Sequence, residues 1–534
     1  MKNDKMKKNK IYAILIALSI VSFLFSCVED KGSEITLDIN EIKISGIELQ
    51  YDRTSYFDTL RITPTIECSL ENFSEDNLEY AWFFCLNSES MTDHKHEKIG
   101  SERELVYKVD VPPGTYTIYL QVTDKSTGIK YDASCTLNTS SQFVRGFYLY
   151  GDKPNGLVGL DFVSMPMGKD TVLIKDIFIN SQQIKGAKDL IFTGHRDNGF
   201  NALWAVTRDN QYSIEYSAQL EKVDIVPDQR LEDRIYATIS SVQKPYHLTN
   251  ICPGTWGPQC ISLSGTARMR LIMTENEIFT CNMVLSEAYG NPINRDNITT
   301  EQLFKPYPVA FYSAAESSVS YVCFFDMTNH CFKKPGHQIM SSAIKCDKPA
   351  VDSETPFFFD QNNYTPVRQI VYGENGYRNA GRSYALMNDA DGNYYVYAFT
   401  APTEYASDPI KHYAKQIDLS VARDFARASH YAFFSGQMII LYSVDNLLYA
   451  YDYNRNDLKV INLGAEITYL AMEHQSSLTV TDFIVATYDS TKKGLVQKYS
   501  IADDVNAIRI TPHEKEVWKT DLKVVKVVWK FSNY

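Results

Sequence analysis

From Gly146 onward the sequence repeats one local pattern, an apolar β-forming run, a short polar turn and a second such run. The clearest copy lies near the C-terminus. Gln437 to Val444 is a strand, Asp445-Asn446 a turn, Leu447 to Tyr453 a strand, Asn454 to Asp457 a turn, and Leu458 to Leu463 a third strand closed by Gly464. Two-residue and four-residue turns of this chemistry connect antiparallel neighbours. Weaker copies start at Asn201, Met269, Val319, Ser383 and Phe483, roughly 45–70 residues apart, the upper part of the range for repeat units.

One such meander cannot bury both of its faces. Sheets packed side by side in a ring bury each face against a neighbour and protect their edges. At about 45–55 residues per unit, the roughly 390 residues after Gly146 supply about seven blades, so residues 142–534 are predicted to form a β-propeller. A pair of large β-sandwiches is the alternative; a β-helix demands more regular spacing. Asp408 to Ala428 is predicted to hold a short helix, because Ile417, Leu419, Val421 and Phe425 do not alternate. Pro245 to Ile261 and Gly290 to Pro308 read as loops. Long loops on one rim are where binding surfaces lie. Trp256, flanked by glycines and prolines, and His195, in a His-Arg-Asp-Asn turn, are therefore the expected ligand-contacting residues. The structural alternatives are a tryptophan packed under its loop and a plain turn.

Residues 35–141 read differently. Ile42 and Ile44 alternate, and the alternation resumes one step out of phase after Gly46, which points to a bulge or turn there. Leu60 to Ile66, Leu78 to Phe84, Thr115 to Asp124 and Tyr131 to Leu137 add short strands, about seven in all, the signature of an immunoglobulin-like sandwich. The Tyr80-Ala81-Trp82 strand, the Pro113-Gly114-Thr115-Tyr116 turn and the Val122-Thr123-Asp124 ending resemble a PKD-type domain. The resemblance implies that Trp82 fills the core between the sheets. Asp93, His94, His96 and Glu97 share one polar segment, but His spacing of i, i+2 there is the pattern of a solvated loop, and no metal site is expected.

Five lysines before Ile11 and an apolar run of about 15 residues to Phe25 make a basic and then a greasy segment, too short to span a bilayer, which takes roughly 20 residues. Leu24-Phe25-Ser26-Cys27 resembles the lipobox of bacterial lipoproteins. The resemblance implies removal of residues 1–26 and acyl chains on Cys27, followed by a tether over 27–34. At about 0.8 kcal/mol per buried CH₂, two or three chains anchor stably where one would not. Val28-Glu29-Asp30 resembles the surface-export signal of Bacteroidetes lipoproteins.

Bulk properties exclude more than they assign. The formal charge is −12, and no basic cluster follows the first segment, so nucleic acid is not a partner. The 36 tyrosines and 27 phenylalanines favour strands and half-buried faces. Setting Cys27 aside leaves an odd number of the ten cysteines and no Cys-x-x-Cys; Cys252 and Cys260 bracket one loop and are the best local disulfide candidates. No Gly-x-Ser-x-Gly, His-Glu-x-x-His or phosphate-binding glycine loop occurs. The chain is expected to be no enzyme and to need no cofactor.

In architecture the whole chain resembles the PKD-like lipoproteins of Bacteroidetes. That implies a lipid-anchored protein of the outer membrane facing the exterior, a non-catalytic binder of a peptide or glycan. The implied partners are a TonB-dependent transporter and a SusD-like lipoprotein. The alternatives are a propeller-type glycoside hydrolase or lyase, and a scaffold touching only proteins.

Overall fold

The computed structural model describes residues 39–530 apart from 71–72, 87–95, 144, 167–169, 194–201, 216–221, 253–268, 283–287, 314–320, 337–341, 347–355, 380, 404–406, 475–480 and 503–505. The described residues form strands joined by turns, with helical geometry only in single 3-10 turns. Contacts divide the chain into two units. The first takes the segments up to Asn138; the second takes Thr139 onward with the short pieces Thr54–Tyr56 and Asp110–Pro113.

The first unit is an antiparallel sandwich. A five-stranded sheet runs in the order Gln50–Thr54, Lys130–Ser140, Gly114–Asp124, Leu78–Leu86, His96–Gly100, with two-stranded pairs Ile42–Ser45/Thr65–Cys68 and Thr59–Ile62/Leu105–Lys108. Period-two burial is plain in Gly114–Asp124, where Tyr116, Ile118, Leu120 and Val122 point inward. The phase slip at Gly46 has a cause. The chain leaves one sheet at Ser45 and enters another at Gln50, and Gly46 turns it at φ +77°, where a Cβ would stand 3.2 Å from the Thr63 carbonyl oxygen.

The second unit is propeller-like, with seven antiparallel sheets among the described residues. The second to seventh follow chain order: 187–214, 248–282, 306–345, 369–416, 430–462 and 466–520. The first combines Val172–Ile174, Val158–Ser164 and Gly146–Asp152 with a strand from the far end of the chain, Lys523–Lys530. That strand pairs antiparallel from Gly146↔Lys530 to Asp152↔Lys523, with a bulge at Tyr150/Gly151. Gly151 is required at the bulge, because a Cβ would lie 2.1 Å from the Lys523 carbonyl oxygen.

Each consecutive pair of sheets encloses one apolar cluster. Tyr148, Phe162 and Leu203 lie between the first and second, and Trp204, Phe279 and Tyr289 between the second and third. Leu271 and Phe324 follow, then Phe311, Phe332 and Phe399, then Tyr384, Phe433 and Tyr442, then Phe434, Leu441 and Phe483. The last cluster joins the seventh sheet to the first through Ile484, Trp518, Phe147 and Trp529. The aromatic surplus is spent in these layers: Tyr384 stacks on Phe433 at 4.9 Å and Phe147 meets Trp529 edge-on at 4.8 Å.

Three local readings need correction. Residues 408–428 hold a strand, Ile410–Gln416, and only a 3-10 turn at Phe425–Arg427. The strand is outermost in its sheet and half-buried along most of its length, so its alternation is faint. The segment read as a loop from Pro245 contains Leu248–Cys252, the inner strand of the third sheet, whose period is broken by a bulge. Pro306–Phe311 likewise begins inside the second stretch read as loop.

Candidate functional site

Each sheet of the second unit contributes one inner strand. In order these are Lys523–Lys530, Ala187–Thr193, Leu248–Cys252, Pro306–Phe311, Gln369–Asn375, His430–Phe434 and Glu466–Met472. Neighbours in this order touch, and Glu466–Met472 lies against Lys523–Lys530. Inner strands of adjacent sheets share no ladder, so their edge groups need partners from elsewhere. Side chains of the next sheet supply them. Tyr307 donates to the Val371 carbonyl (2.8 Å), and Asn375 Nδ2 to that of Ala310 (2.9 Å). Thr468 donates to the carbonyl of Val524 (2.6 Å), and Tyr469 to that of Val527 (3.2 Å). Lys526 pairs with Asp189 at 3.0 Å.

The same strands bring distant sheets together. Tyr377, just past the inner strand of the fifth sheet, stacks on His474, just past that of the seventh, with centroids 5.5 Å apart. The sixth sheet lies between those two in order, so the rings meet across the space that the inner strands face. Deeper along the same strands, the Tyr372 hydroxyl feels Glu374, Tyr307 and Tyr469, and the Tyr469 hydroxyl feels Lys526, Asp189 and Glu374. Side chains of five sheets thus converge on one polar column.

Glu374 is its central group. Its Oε2 accepts the Phe433 backbone N–H at 2.7 Å and the Tyr372 hydroxyl at 3.2 Å. Both bonds fall on this one oxygen. Burial pushes this carboxyl up to about 7, against the pull of those two donors. Burial also raises the Tyr372 hydroxyl well above its ordinary range and the Tyr469 hydroxyl to about 12. Lys526 keeps its charge: burial opposes it most, but Asp189 and Tyr469 together outweigh burial. At the strand ends, burial drives His474 down to about 4, and neither ring nitrogen has a partner among the described residues. The column therefore presents a carboxyl poised between its two forms, a neutral imidazole, un-ionised tyrosines and one self-compensated ion pair.

A second polar cluster closes one end of the seventh sheet. Lys498, 5 % exposed, reaches Asp482 at 3.2 Å, Glu516 at 3.3 Å and Glu473 at 3.6 Å. His513 links Glu516 to Ser500, whose hydroxyl also bonds Asp482. A bulge at Gln497/Tyr499 lets His513 and Glu516 turn toward one side. Hydroxyl, imidazole and carboxylate follow one another as in an acyl-transfer relay. Here Asp482 competes for the serine hydroxyl, and every member has a partner, which is the arrangement of a buried structural network.

Trp82 is fully buried, and its indole N–H donates to the Glu102 carbonyl at 3.0 Å. Cys27, His195, Trp256, Asp93, His94 and Cys260 lie outside the described residues; the strands before His195 and Trp256, Ala187–Thr193 and Leu248–Cys252, are both inner strands. Cys252 is buried with a free thiol. His96 and Glu97 sit on the edge strand His96–Gly100, and Tyr119 meets His96 Nδ1 at 3.0 Å. No metal-holding group of His, Cys, Asp and Glu occurs among the described residues. Sequence reasoning nominated neither Glu374 nor His474. The available signal was an ionisable residue near the end of a β-forming run: Glu374 within Gln369 to Asn375, and the Glu473-His474 pair directly after Met472.

Comparison with known proteins shows a family similarity for the N-terminal part. Residues 27–188 match the PKD-like family. No curated protein matches the chain in sequence. Among solved structures, a quinonprotein alcohol dehydrogenase-like protein from Bacteroides thetaiotaomicron aligns over 92% of this chain and 100% of its own, at 12% identity and TM-score 0.33. The β-propeller domain of Cps50 (Swd1) from Myceliophteria thermophila aligns over 73% and 96%, at 11% identity and TM-score 0.26. The extracellular domain of a putative one component system from B. thetaiotaomicron aligns over 87% and 65%, at 10% identity and TM-score 0.27. The N-terminal part of the chain is thus similar to the PKD-like family, ahead of a propeller-like array of seven sheets.

Proposed function

We propose that this is a surface-anchored outer-membrane lipoprotein whose seven sheets close into a ring and whose inner strands form a ligand site. The observation that supports a binding role is the polar column: the Phe433 N–H and the Tyr372 hydroxyl both bond one oxygen of Glu374, and the two ring nitrogens of His474 have no partner among the described residues. Acyl chains on Cys27 hold the chain at the membrane, and the PKD-type unit acts as a spacer. The protein serves as a non-catalytic accessory of a TonB-dependent, SusCD-like uptake system. Nothing in the described site aligns a nucleophile, base and oxyanion donors on one reacting atom.

The test is co-purification from outer membranes with the anchor retained. Recovery of a TonB-dependent transporter or a SusD-like lipoprotein, lost on Cys27→Ala, supports this function. Recovery of the mature chain from the periplasm with an unmodified first residue rejects it, and turnover of a bound glycan replaces binding with catalysis.

A further inference from the structure

We infer that the polar cluster at one end of the seventh sheet is a proton-operated lock. In the folded chain the row Asp482, Ser500, His513 and Glu516 holds one proton more than a serine and a neutral imidazole can supply, and the row comes apart when that proton leaves.

The cluster draws on every strand of its sheet. Asp482 opens the strand Asp482–Asp489, Lys498 and Ser500 lie on Lys493–Ile501, His513 and Glu516 lie on Ile510–Thr520, and Glu473 directly follows the inner strand Glu466–Met472. Three contacts join the row end to end. The Ser500 hydroxyl reaches Asp482 Oδ1 at 2.5 Å and His513 Nε2 at 2.5 Å, and His513 Nδ1 meets Glu516 Oε2. The second oxygens of the two carboxylates face Lys498, Asp482 Oδ2 at 3.2 Å and Glu516 Oε1 at 3.3 Å, with Glu473 at 3.6 Å.

Each contact in the row brings two electronegative atoms to hydrogen-bond distance, so each needs a hydrogen between them. Ionised carboxylates bring none, the serine hydroxyl brings one and a neutral imidazole brings one. Two hydrogens cannot fill three contacts. If Ser500 donates to Asp482, a neutral His513 leaves either Nε2 bare against the hydroxyl oxygen or Nδ1 bare against the Glu516 carboxylate. If Ser500 donates to His513 instead, its oxygen faces Asp482 with no hydrogen between them. A third proton removes the conflict: both ring nitrogens donate, and the hydroxyl passes its own hydrogen to Asp482. It rests on the imidazole, which in water is a stronger base than a carboxylate. The charge count agrees. Glu473, Asp482 and Glu516 set three negative charges around one ammonium, and an imidazolium offsets a second of them. Lys498, Glu473 and Asp482 are buried, so dissolved salt screens the excess poorly.

Release of the third proton breaks one of the three contacts and restores the excess negative charge. The Glu473 N–H donates to the Asp482 carbonyl at 2.8 Å, so the row is tied to the end of the inner strand, directly before His474. Alkaline pH therefore loosens the seventh sheet at the point where its inner strand ends. The lock operates whatever the second unit binds.

Urea denaturation of the full-length protein from about pH 6.5 to about pH 8.5 reads the extra proton through linkage. An unfolded histidine sheds its proton near about 6.5. A proton kept only by the folded chain therefore makes stability fall as pH rises above that value, by up to about tenfold in the folding equilibrium per pH unit. The parent's advantage over His513→Gln, as a ratio of folding equilibrium constants, should shrink at least about tenfold across the range. Other titrations, that of Glu374 among them, cancel in the ratio. Ser500→Ala removes two of the three contacts, so a neutral imidazole suffices and the parent's advantage over it should shrink likewise. Ser500→Thr keeps the hydroxyl and should follow the parent. A ratio of parent to His513→Gln that stays constant or grows with pH overturns the lock, and so does a Ser500→Ala profile parallel to the parent's. If His513→Gln does not fold, the contrast between Ser500→Ala and Ser500→Thr decides alone.

Discussion

Tyr377 and His474 stack 5.5 Å apart with their planes 24° from parallel, although their strands belong to the fifth and seventh sheets. Contact between sheets that are not neighbours requires inner strands that face one another. It also forces both side chains out of bulk water. The protonation of His474 and of the nearby Glu374 then becomes linked to folding.

Those two groups pull stability in opposite directions. Glu374 holds its proton up to about 7 when folded and only to about 4.5 when unfolded, so its contribution falls as pH rises through that window. His474 refuses a proton until about 4 when folded but takes one near 6.5 when unfolded, so its contribution falls as pH drops through that window. Each shift is worth up to roughly 3 kcal/mol. Glu374→Gln should stabilise the protein at pH 8 and have no effect near pH 4. His474→Phe should stabilise it near pH 4.5 and have no effect at pH 8. Urea denaturation at the two pH values would measure both, and parallel shifts in the two variants would refute the assignment.

Lys498 compensates Glu473, Asp482 and Glu516 at once. Lys498→Ala leaves three carboxylates facing one another and should cost about 3–5 kcal/mol. Chemical denaturation of the variant beside the parent protein would measure the loss.

Trp529 belongs to the cluster between the seventh and first sheets and is fully buried against Phe147. Trp529→Ala should cost about 3–5 kcal/mol. Because the change acts where the two extremes of the propeller-like unit meet, proteolysis of the variant should begin in Lys523–Lys530 or Gly146–Asp152. Mass spectrometry of the first fragments would check this.

In the first unit, Trp82→Phe keeps most of the buried ring but loses the indole bond to the Glu102 carbonyl. A cost of about 1–3 kcal/mol is expected, from the lost volume and the unsatisfied carbonyl. Trp82→Ala should cost more, about 3–5 kcal/mol, measurable in the two-domain protein as a separate early transition.

The hairpins were legible in the sequence because their turns carry the signal. Asp452 accepts the backbone N–H groups of Asn454 and Arg455, and Asp489 those of Thr491 and Lys492, so polar residues mark each reversal between apolar runs. The sandwich was legible through period-two burial, as in Gly114–Asp124. Inner strands were harder to read. Leu248–Cys252 and Glu466–Met472 are bulged, and bonds at the inner edges run between sheets: the Leu248 N–H donates to the Gln211 side chain, and Thr468 and Tyr469 donate to the Val524 and Val527 carbonyls. The column was not legible at all: Glu374 and His474 are about a hundred positions apart, and nothing in the sequence shows that they share one space. Sequence reasoning looked for a site on loops and chose Trp256 and His195, whereas Glu374 lies on an inner strand and His474 just beyond one.

The pairing of Gly146–Asp152 with Lys523–Lys530 has a consequence for biogenesis. The first sheet waits, with an open edge, until every later sheet has been synthesised. A chain halted anywhere short of Lys523 would carry that raw edge as a mark of incompleteness, open to chaperones and proteases. Assembly of this unit is therefore gated by the arrival of its final strand.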